Sequence, residues 1–305
     1  MKEEIRRVQD VMEREAYITD RQVATSVFLA SALGKPLLVE GHPGVGKTEI
    51  AKVMAEVLGA ELIRLQCYEG LDSSAALYEW NYTRQMLELR LQEARSVQRE
   101  QIGRNLFAEE FLLQRPLLKA IRSGSTVPPV LLIDEVDRSD EEFEAFLLEV
   151  LSDFQITIPE IGTLRAERPP LVVLTSNRTR EVHDALKRRC LYYWIDYPSF
   201  EKEVKILRTR LPQVELRLAG QVCRFMELLR QQEFYKKPGI AETIDWARAL
   251  LALGLTELDT EATNATLGCI LKYKGDIESQ LTQFLDVTMA LMPGHDPSAA
   301  PAAFG

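Results

Sequence analysis

Gly41-His42-Pro43-Gly44-Val45-Gly46-Lys47-Thr48 is the stretch that decides the fold. A glycine, four free positions and then Gly-Lys-Thr is the spacing of a phosphate-binding loop. Its glycines leave room for backbone N–H groups to curl around a phosphate. Lys47 is placed to reach the outer phosphates, and the Thr48 hydroxyl to hold a magnesium ion. The flanking chain fits. Pro36-Leu37-Leu38-Val39-Glu40 is an apolar run of strand length, and Ile50, Val53, Met54, Val57 and Leu58 keep helical spacing until Gly59. A helix starting near Lys47 aims the positive end of its dipole at the anion.

Outward from the loop, the same patterns continue. Glu61-Leu62-Ile63-Arg64-Leu65-Gln66 reads as a second strand, and Val130–Asp134, Leu171–Thr175 and Leu191–Ile195 as three more. Their near-continuous apolar character is that of strands covered on both faces. Helical stretches between them predict an α/β fold with a five-stranded, mostly parallel sheet. Gln155–Ile158 and Gly162–Arg165 alternate with period two around Pro159, which predicts a hairpin. Residues 1–35 read as two helical segments, the second with Val23, Val27, Leu29 and Ala30 on its apolar side. Residues 71–122 read as largely helical, and a helix with an acidic start runs from Asp140 to Asp153. From Ser199 onward the pattern is helical only. The expected division is therefore an α/β domain over 1–198, a small helical domain over 199–291, and a disordered Pro/Ala/Gly tail over 292–305.

Bulk composition excludes several classes. An apolar fraction of 46% supports a real core. A net charge of -9 gives no overall basic field for nucleic acid or an anionic membrane. Arg84, Arg90, Arg95, Arg99 and Arg104 are interleaved with glutamates, as on a solvated helix face. Cys67, Cys190, Cys223 and Cys269 form no CxxC pair and read as reduced thiols. The charged start Met1–Arg7 lacks the apolar core of a signal peptide, and no apolar run reaches membrane-spanning length. The expectation is a soluble cytoplasmic protein.

A phosphate loop needs a partner for its metal. Val130-Leu131-Leu132-Ile133-Asp134 is an apolar strand ending in an acid, which sets the Asp134 carboxylate beside the magnesium. Glu135 follows at once, placed to orient or deprotonate a water.

With these residues in view, the chain resembles the AAA+ ATPases. The resemblance rests on Gly41–Thr48, on Leu131-Leu132-Ile133-Asp134-Glu135, on Thr175-Ser176-Asn177 and on Arg188-Arg189, over about residues 20–290. It implies a P-loop AAA+ three-layer αβα domain followed by a small all-helical lid, and the use of ATP with Mg2+. It implies that Asn177 is a polar sensor near the γ-phosphate. It implies too that an arginine beside the last strand reaches a neighbouring subunit's ATP as an arginine finger. Arg189 is the first choice for that role and Arg188 the alternative. Gln66 resembles the polar partner that restrains the catalytic glutamate.

Within that group the chain looks like the MoxR family. The pointers are the hairpin at 155–168 and the helical lid. Gln66-Cys67-Tyr68-Glu69-Gly70-Leu71-Asp72 and Ile244-Asp245-Trp246-Ala247-Arg248-Ala249-Leu250 are similar to the carbon monoxide dehydrogenase accessory, CoxD-like, branch. Thr243-Ile244-Asp245 departs from the Ser-Pro-Arg of many relatives, so the second sensor is either Arg248, one turn on, or missing. The resemblance implies a ring, commonly a hexamer, with ATP between subunits. It also implies a von Willebrand A domain partner and a client metalloenzyme matured by the pair. The alternative is a DNA-dependent motor or loader, which the net charge opposes.

Overall fold

The computed structural model describes residues 2–94, 107–232, 234–273 and 275. In chain order the elements are α1 (Lys2–Arg14), α2 (Arg21–Leu33), β1 (Leu37–Gly41), α3 (Lys47–Leu58), β2 (Leu62–Gln66), α4 (Ser73–Leu77), β3 (Tyr78–Trp80) and α5 (Tyr82–Ala94). Next come β4 (Leu112–Gln114), α6 (Pro116–Ile121), β5 (Val130–Asp134), α7 (Glu141–Asp153), β6 (Gln155–Ile158), β7 (Gly162–Arg165), β8 (Leu171–Ser176), α8 (Asp184–Arg189) and β9 (Leu191–Ile195). Among the described residues, four helices follow: α9 (Phe200–Arg210), α10 (Leu216–Gln231), α11 (Ile240–Ala252) and α12 (Thr260–Thr266).

The sheet has five strands in the order β2-β5-β8-β1-β9. β2 pairs with β5, β5 with β8 and β8 with β1, all parallel. β1 and β5 are buried at every residue and β8 at five of its six, as their apolar runs predict. Register decides what the sheet presents. Gln66 stands opposite Asp134, and Glu40 opposite Ser176, so the carboxyl ends of β2, β5, β8 and β1 form one edge. Ligands of open parallel sheets bind outside that edge.

Local chemistry sets the helix limits. Asp20 caps α2 by accepting from Val23 N at 2.9 Å, and Asp140 caps α7 by accepting from Phe143 N at 2.8 Å. In α2, Val23, Ala24, Val27 and Ala30 are buried, but Leu29 is 38% exposed. The expected apolar face misplaced Leu29, which lies two residues, about 200°, from Val27 and hence on the other side. The described part of 71–122 is largely helical, as read, but it also holds a short strand pair the reading did not include. β3 and β4 pair antiparallel through three residues each, too few to show a period in sequence. Part of that stretch, with Arg95, Arg99 and Arg104, lies outside the described residues. So does the 292–305 tail.

The chain forms two compact units. The first contains the sheet, and its core gathers Leu38, Leu131, Ile133, Val172 and Leu174 with Phe143, Leu147, Leu117 and Leu118 of the flanking helices. The second runs from Ile195 and includes Ala16–Ile18 and the loop tip His42–Gly46. Its core is built on Trp246, Phe225, Met226, Val222 and Leu250. Among the described residues no helix is long and apolar enough to cross a membrane.

Candidate nucleotide site

β1 delivers the chain to the loop and α3 takes it away, so Lys47 and Thr48 open a helix at the sheet's carboxyl edge. Lys47 is only 6% exposed, and its Nζ donates to Gly41 O at 2.8 Å. Burial pushes its ammonium down to about 8, against the field of Asp137, Asp134, Glu135 and Glu40, which favours the charged form. Thr48 Oγ1 donates to Asp134 Oδ1 at 3.1 Å. A hydroxyl beside a carboxylate is the hard-oxygen pair that Mg2+ prefers, and a buried ammonium suits a phosphate. The residues present therefore fit ATP with Mg2+.

Asp134 is held tightly. Thr175 Oγ1 donates to its Oδ1 at 2.5 Å and Arg64 Nη2 to its Oδ2 at 2.5 Å. The Thr175 oxygen also accepts from Glu135 N at 2.9 Å. That bond helps hold Glu135 in the left-handed region at φ 56°, ψ 50°, a conformation that costs of order 1 kcal/mol or more and is concentrated at functional sites. The turn swings Glu135 off the strand toward three polar partners. Asn177 Nδ2 lies 3.3 Å from its Oε1, Gln66 Nε2 3.2 Å from its Oε2, and Arg138 Nε 3.1 Å from the same Oε2.

Asn177 is itself fixed by a buried carboxylate. Asp137, 2% exposed, accepts from Asn177 N at 3.1 Å, from Thr179 N at 2.8 Å and from Thr179 Oγ1 at 2.6 Å. Glu144, fully buried, accepts from His183 N at 2.7 Å and from Arg180. His183 then caps α8 through Nδ1. Arg188 and Arg189 on α8 are exposed and stand apart from Asp134 and Glu135 in the hydrogen-bond network. Arg189 Nη1 donates to Leu148 O near the end of α7, whereas Arg188 makes no hydrogen bond or ion pair among the described residues.

Gly41 ends β1 in the first unit, and the loop tip has its own surroundings within the second. Gly44 (φ +75°) and Gly46 (φ +94°) take left-handed conformations. Gly44 O accepts from Ile240 N at 3.0 Å and Ala241 N at 3.2 Å, the first free donors of α11. His42 stacks on Tyr197 with ring centroids 4.5 Å apart. Tyr197 in turn faces Arg230, which is paired twice with Glu203 at 2.6 and 2.8 Å in the interior. Pro43 and Val45 complete the tip, with Val45 buried. Arg248 lies on the surface, paired with Asp245 at 3.2 Å.

Of the residues read from sequence, Thr48, Asp134, Glu135, Asn177 and Gln66 share one network, and Lys47 lies in the field of its carboxylates. The sequence reading missed Arg64, Thr175, Asp137 and Arg138. For Arg64 a signal existed: it sits two residues before Gln66 on a strand, hence on the same face.

A family model described as the AAA domain, dynein-related subfamily, matches residues 36–190, just over half of the chain. The chain belongs to this AAA domain family. As a member it is an ATP hydrolase that uses ATP and Mg2+. The AAA protein is similar to the denitrification regulatory protein NirQ of Stutzerimonas stutzeri, 23% identical over 266 residues, covering 83% of this chain and 84% of NirQ. It is also similar to an uncharacterised protein of Staphylococcus aureus strain bovine RF122, 25% identical over 228 residues, covering 72% of this chain and 77% of that one. Among solved structures, the Thermotoga maritima RuvB Holliday junction branch migration motor matches with a TM-score of 0.47 at 17% identity, over 89% of this chain and 74% of RuvB.

Proposed function

We propose that this AAA protein is a MoxR-type ATPase that remodels or matures a partner protein, working as a ring. The observation that carries the reading is Glu135. A carboxylate held off its strand, one residue beyond the Asp134–Thr48 pair and between Asn177 and Gln66, is arranged to take a proton from a water. Loop residues Gly41–Thr48 bind the phosphates, and Thr48 and Asp134 would hold Mg2+, which supplies charge neutralisation at the phosphates. Asn177 orients Glu135, and Gln66 restrains it. Arg188 is exposed on α8, without a hydrogen bond or ion pair among the described residues, which makes it as suited as Arg189 to reach a neighbouring subunit.

The reading extends to a hexamer, a von Willebrand A domain partner and a client metalloenzyme, with the CoxD-like branch as the family placement. Its support is the sequence resemblance, together with the similarity to a protein named as a denitrification regulator. Residues 1–198 are the catalytic part in this reading, 199–291 the lid and 292–305 a tail, in the cytoplasm. The net charge of -9 keeps nucleic acid outside it.

The test pairs two variants. Glu135→Gln is expected to retain ATP in calorimetry and to lose turnover by a factor of about a hundred or more. Lys47→Ala is expected to lose ATP binding itself. Near-normal phosphate release by Glu135→Gln removes Glu135 from the mechanism. Arg188→Ala and Arg189→Ala, each mixed with Glu135→Gln subunits, show which arginine acts on a neighbour's ATP.

A further inference from the structure

Arg64 has no place in the hydrolysis scheme, yet it holds the carboxylate read as a metal ligand at 2.5 Å, as close as Thr175 does. On β2 the side chains alternate, with Ile63 and Leu65 buried and Arg64 and Gln66 exposed. Pairing with β5 sets Arg64 against Leu132 and Gln66 against Asp134. One nitrogen, Arg64 Nη2, donates to both Asp134 Oδ2 and Gln66 Oε1, each at 2.5 Å.

Two consequences follow from these contacts. Both oxygens of Asp134 are engaged, Oδ1 by Thr48 and Thr175 and Oδ2 by Arg64. The guanidinium is thus a positive charge in direct contact with a carboxylate that is only 4% exposed. Gln66 has a single amide oxygen. With that oxygen on Arg64, its Nε2 must face the other way, toward Glu135 Oε2 at 3.2 Å. Arg64 therefore decides which end of Gln66 Glu135 meets.

We propose that Arg64 is a positioning residue that stands in for the metal's charge at Asp134 and, on giving way to the metal, loosens the hold of Gln66 on Glu135. The proposal rests on the reading of Asp134 and Thr48 as magnesium ligands. A dication at Asp134 repels the guanidinium, since like charges a few ångströms apart disfavour each other, the more so where solvent is partly excluded. The side chain has somewhere to go: it is 52% exposed, on a flexible stem at the sheet's edge. Once it swings out, Gln66 loses the acceptor that fixed its amide. Glu135 is then free of one restraint only when the metal is in place. Futile proton abstraction in an unloaded site is suppressed by the same contact.

The test uses Mn2+ as the probe, followed by electron paramagnetic resonance with ADP present, so that no turnover is involved. Arg64→Met removes the charge and keeps the stem, and its exposure makes the fold tolerant of the change. Mn2+ affinity is expected to rise about 1.5-fold to fivefold, the worth of a half-exposed ion pair. Arg64→Lys restores the charge and is expected to return the affinity toward that of the unaltered protein. Unchanged or weaker Mn2+ binding in Arg64→Met overturns the proposal. Asp134→Asn is the control for the underlying reading. If it leaves Mn2+ binding intact, the ligand assignment fails, whatever Arg64 does. Basal ATP turnover supplies the second half. Arg64→Met and Gln66→Ala are each expected to raise it, and the double variant to match Gln66→Ala alone; additive effects exclude action through Gln66.

Discussion

Replacing Gly239 by alanine adds one methyl group, and the surroundings of that methyl can be worked out atom by atom. A Cβ at Gly239 would stand 2.6 Å from Pro43 O and 2.8 Å from both Cα and C of Gly44. Ordinary contact begins at 3.4 Å, so the shortest of these is about 0.8 Å too close. All three obstacles are backbone, and none can turn away by changing rotamer. The residue's own conformation is no obstacle, since φ -90° and ψ -168° are open to any amino acid. The small loss of an N-cap glycine is offset by a stiffer unfolded chain. What remains is the clash, and it strains the bonds from Ile240 N and Ala241 N to Gly44 O. Overpacking of this kind costs about 1–3 kcal/mol. Urea denaturation read by the fluorescence of Trp246, fully buried in the second unit, is expected to register that loss. Gly220→Ala is the control. It is the same chemical change inside α10 with nothing within 4 Å, and it is expected to stabilise by about 0.5–1 kcal/mol. A Gly239→Ala protein less than about 0.5 kcal/mol below the parent would refute the packing argument.

Other outcomes are expected at the ion pairs. Lys47 in the nucleotide-free protein loses its proton near pH 8, because burial lowers its pKa, and a bound triphosphate favours the charged form. ATP affinity is therefore expected to fall as pH rises above about 8, with uptake of a proton on binding at pH 9; calorimetry in two buffers of different ionisation enthalpy checks this, and identical heats would count against it. Arg230→Met leaves Glu203 buried and unpaired. It is expected to destabilise the second unit by about 3–5 kcal/mol, and Arg230→Met with Glu203→Leu by much less; denaturant midpoints of the two distinguish them.

Much of this was legible in the sequence, for definite reasons. The strands that build the sheet are long, apolar and bounded by breakers, so periodicity found β1, β5 and β8 with the loop between β1 and α3. Asp134 and Glu135 were found because a strand's end is visible in sequence. Arg64 and Asp137 were not, because their roles depend on register between strands and on a turn that brings residue 137 against residue 177. Spacing shows that Arg64 shares a face with Gln66, but no local pattern encodes the register or the turn. β3 and β4 escaped because three residues make no period. The loop tip's place in the second unit is a long-range packing fact, carried by Gly239 and Tyr197 more than a hundred residues away.

The segment from Asn177 to His183 is stapled at both ends, by Asp137 on one side and Glu144 on the other. Both carboxylates belong to the same stretch of chain that carries Glu135. The loop consequently has no slack in which to lose a displacement. A shift at Asn177 has to travel on to α8 and its two arginines, as along a push-rod. In the proposed ring, the state of one subunit's own ATP would reach the next subunit by linkage geometry alone, without any element having to melt and reform.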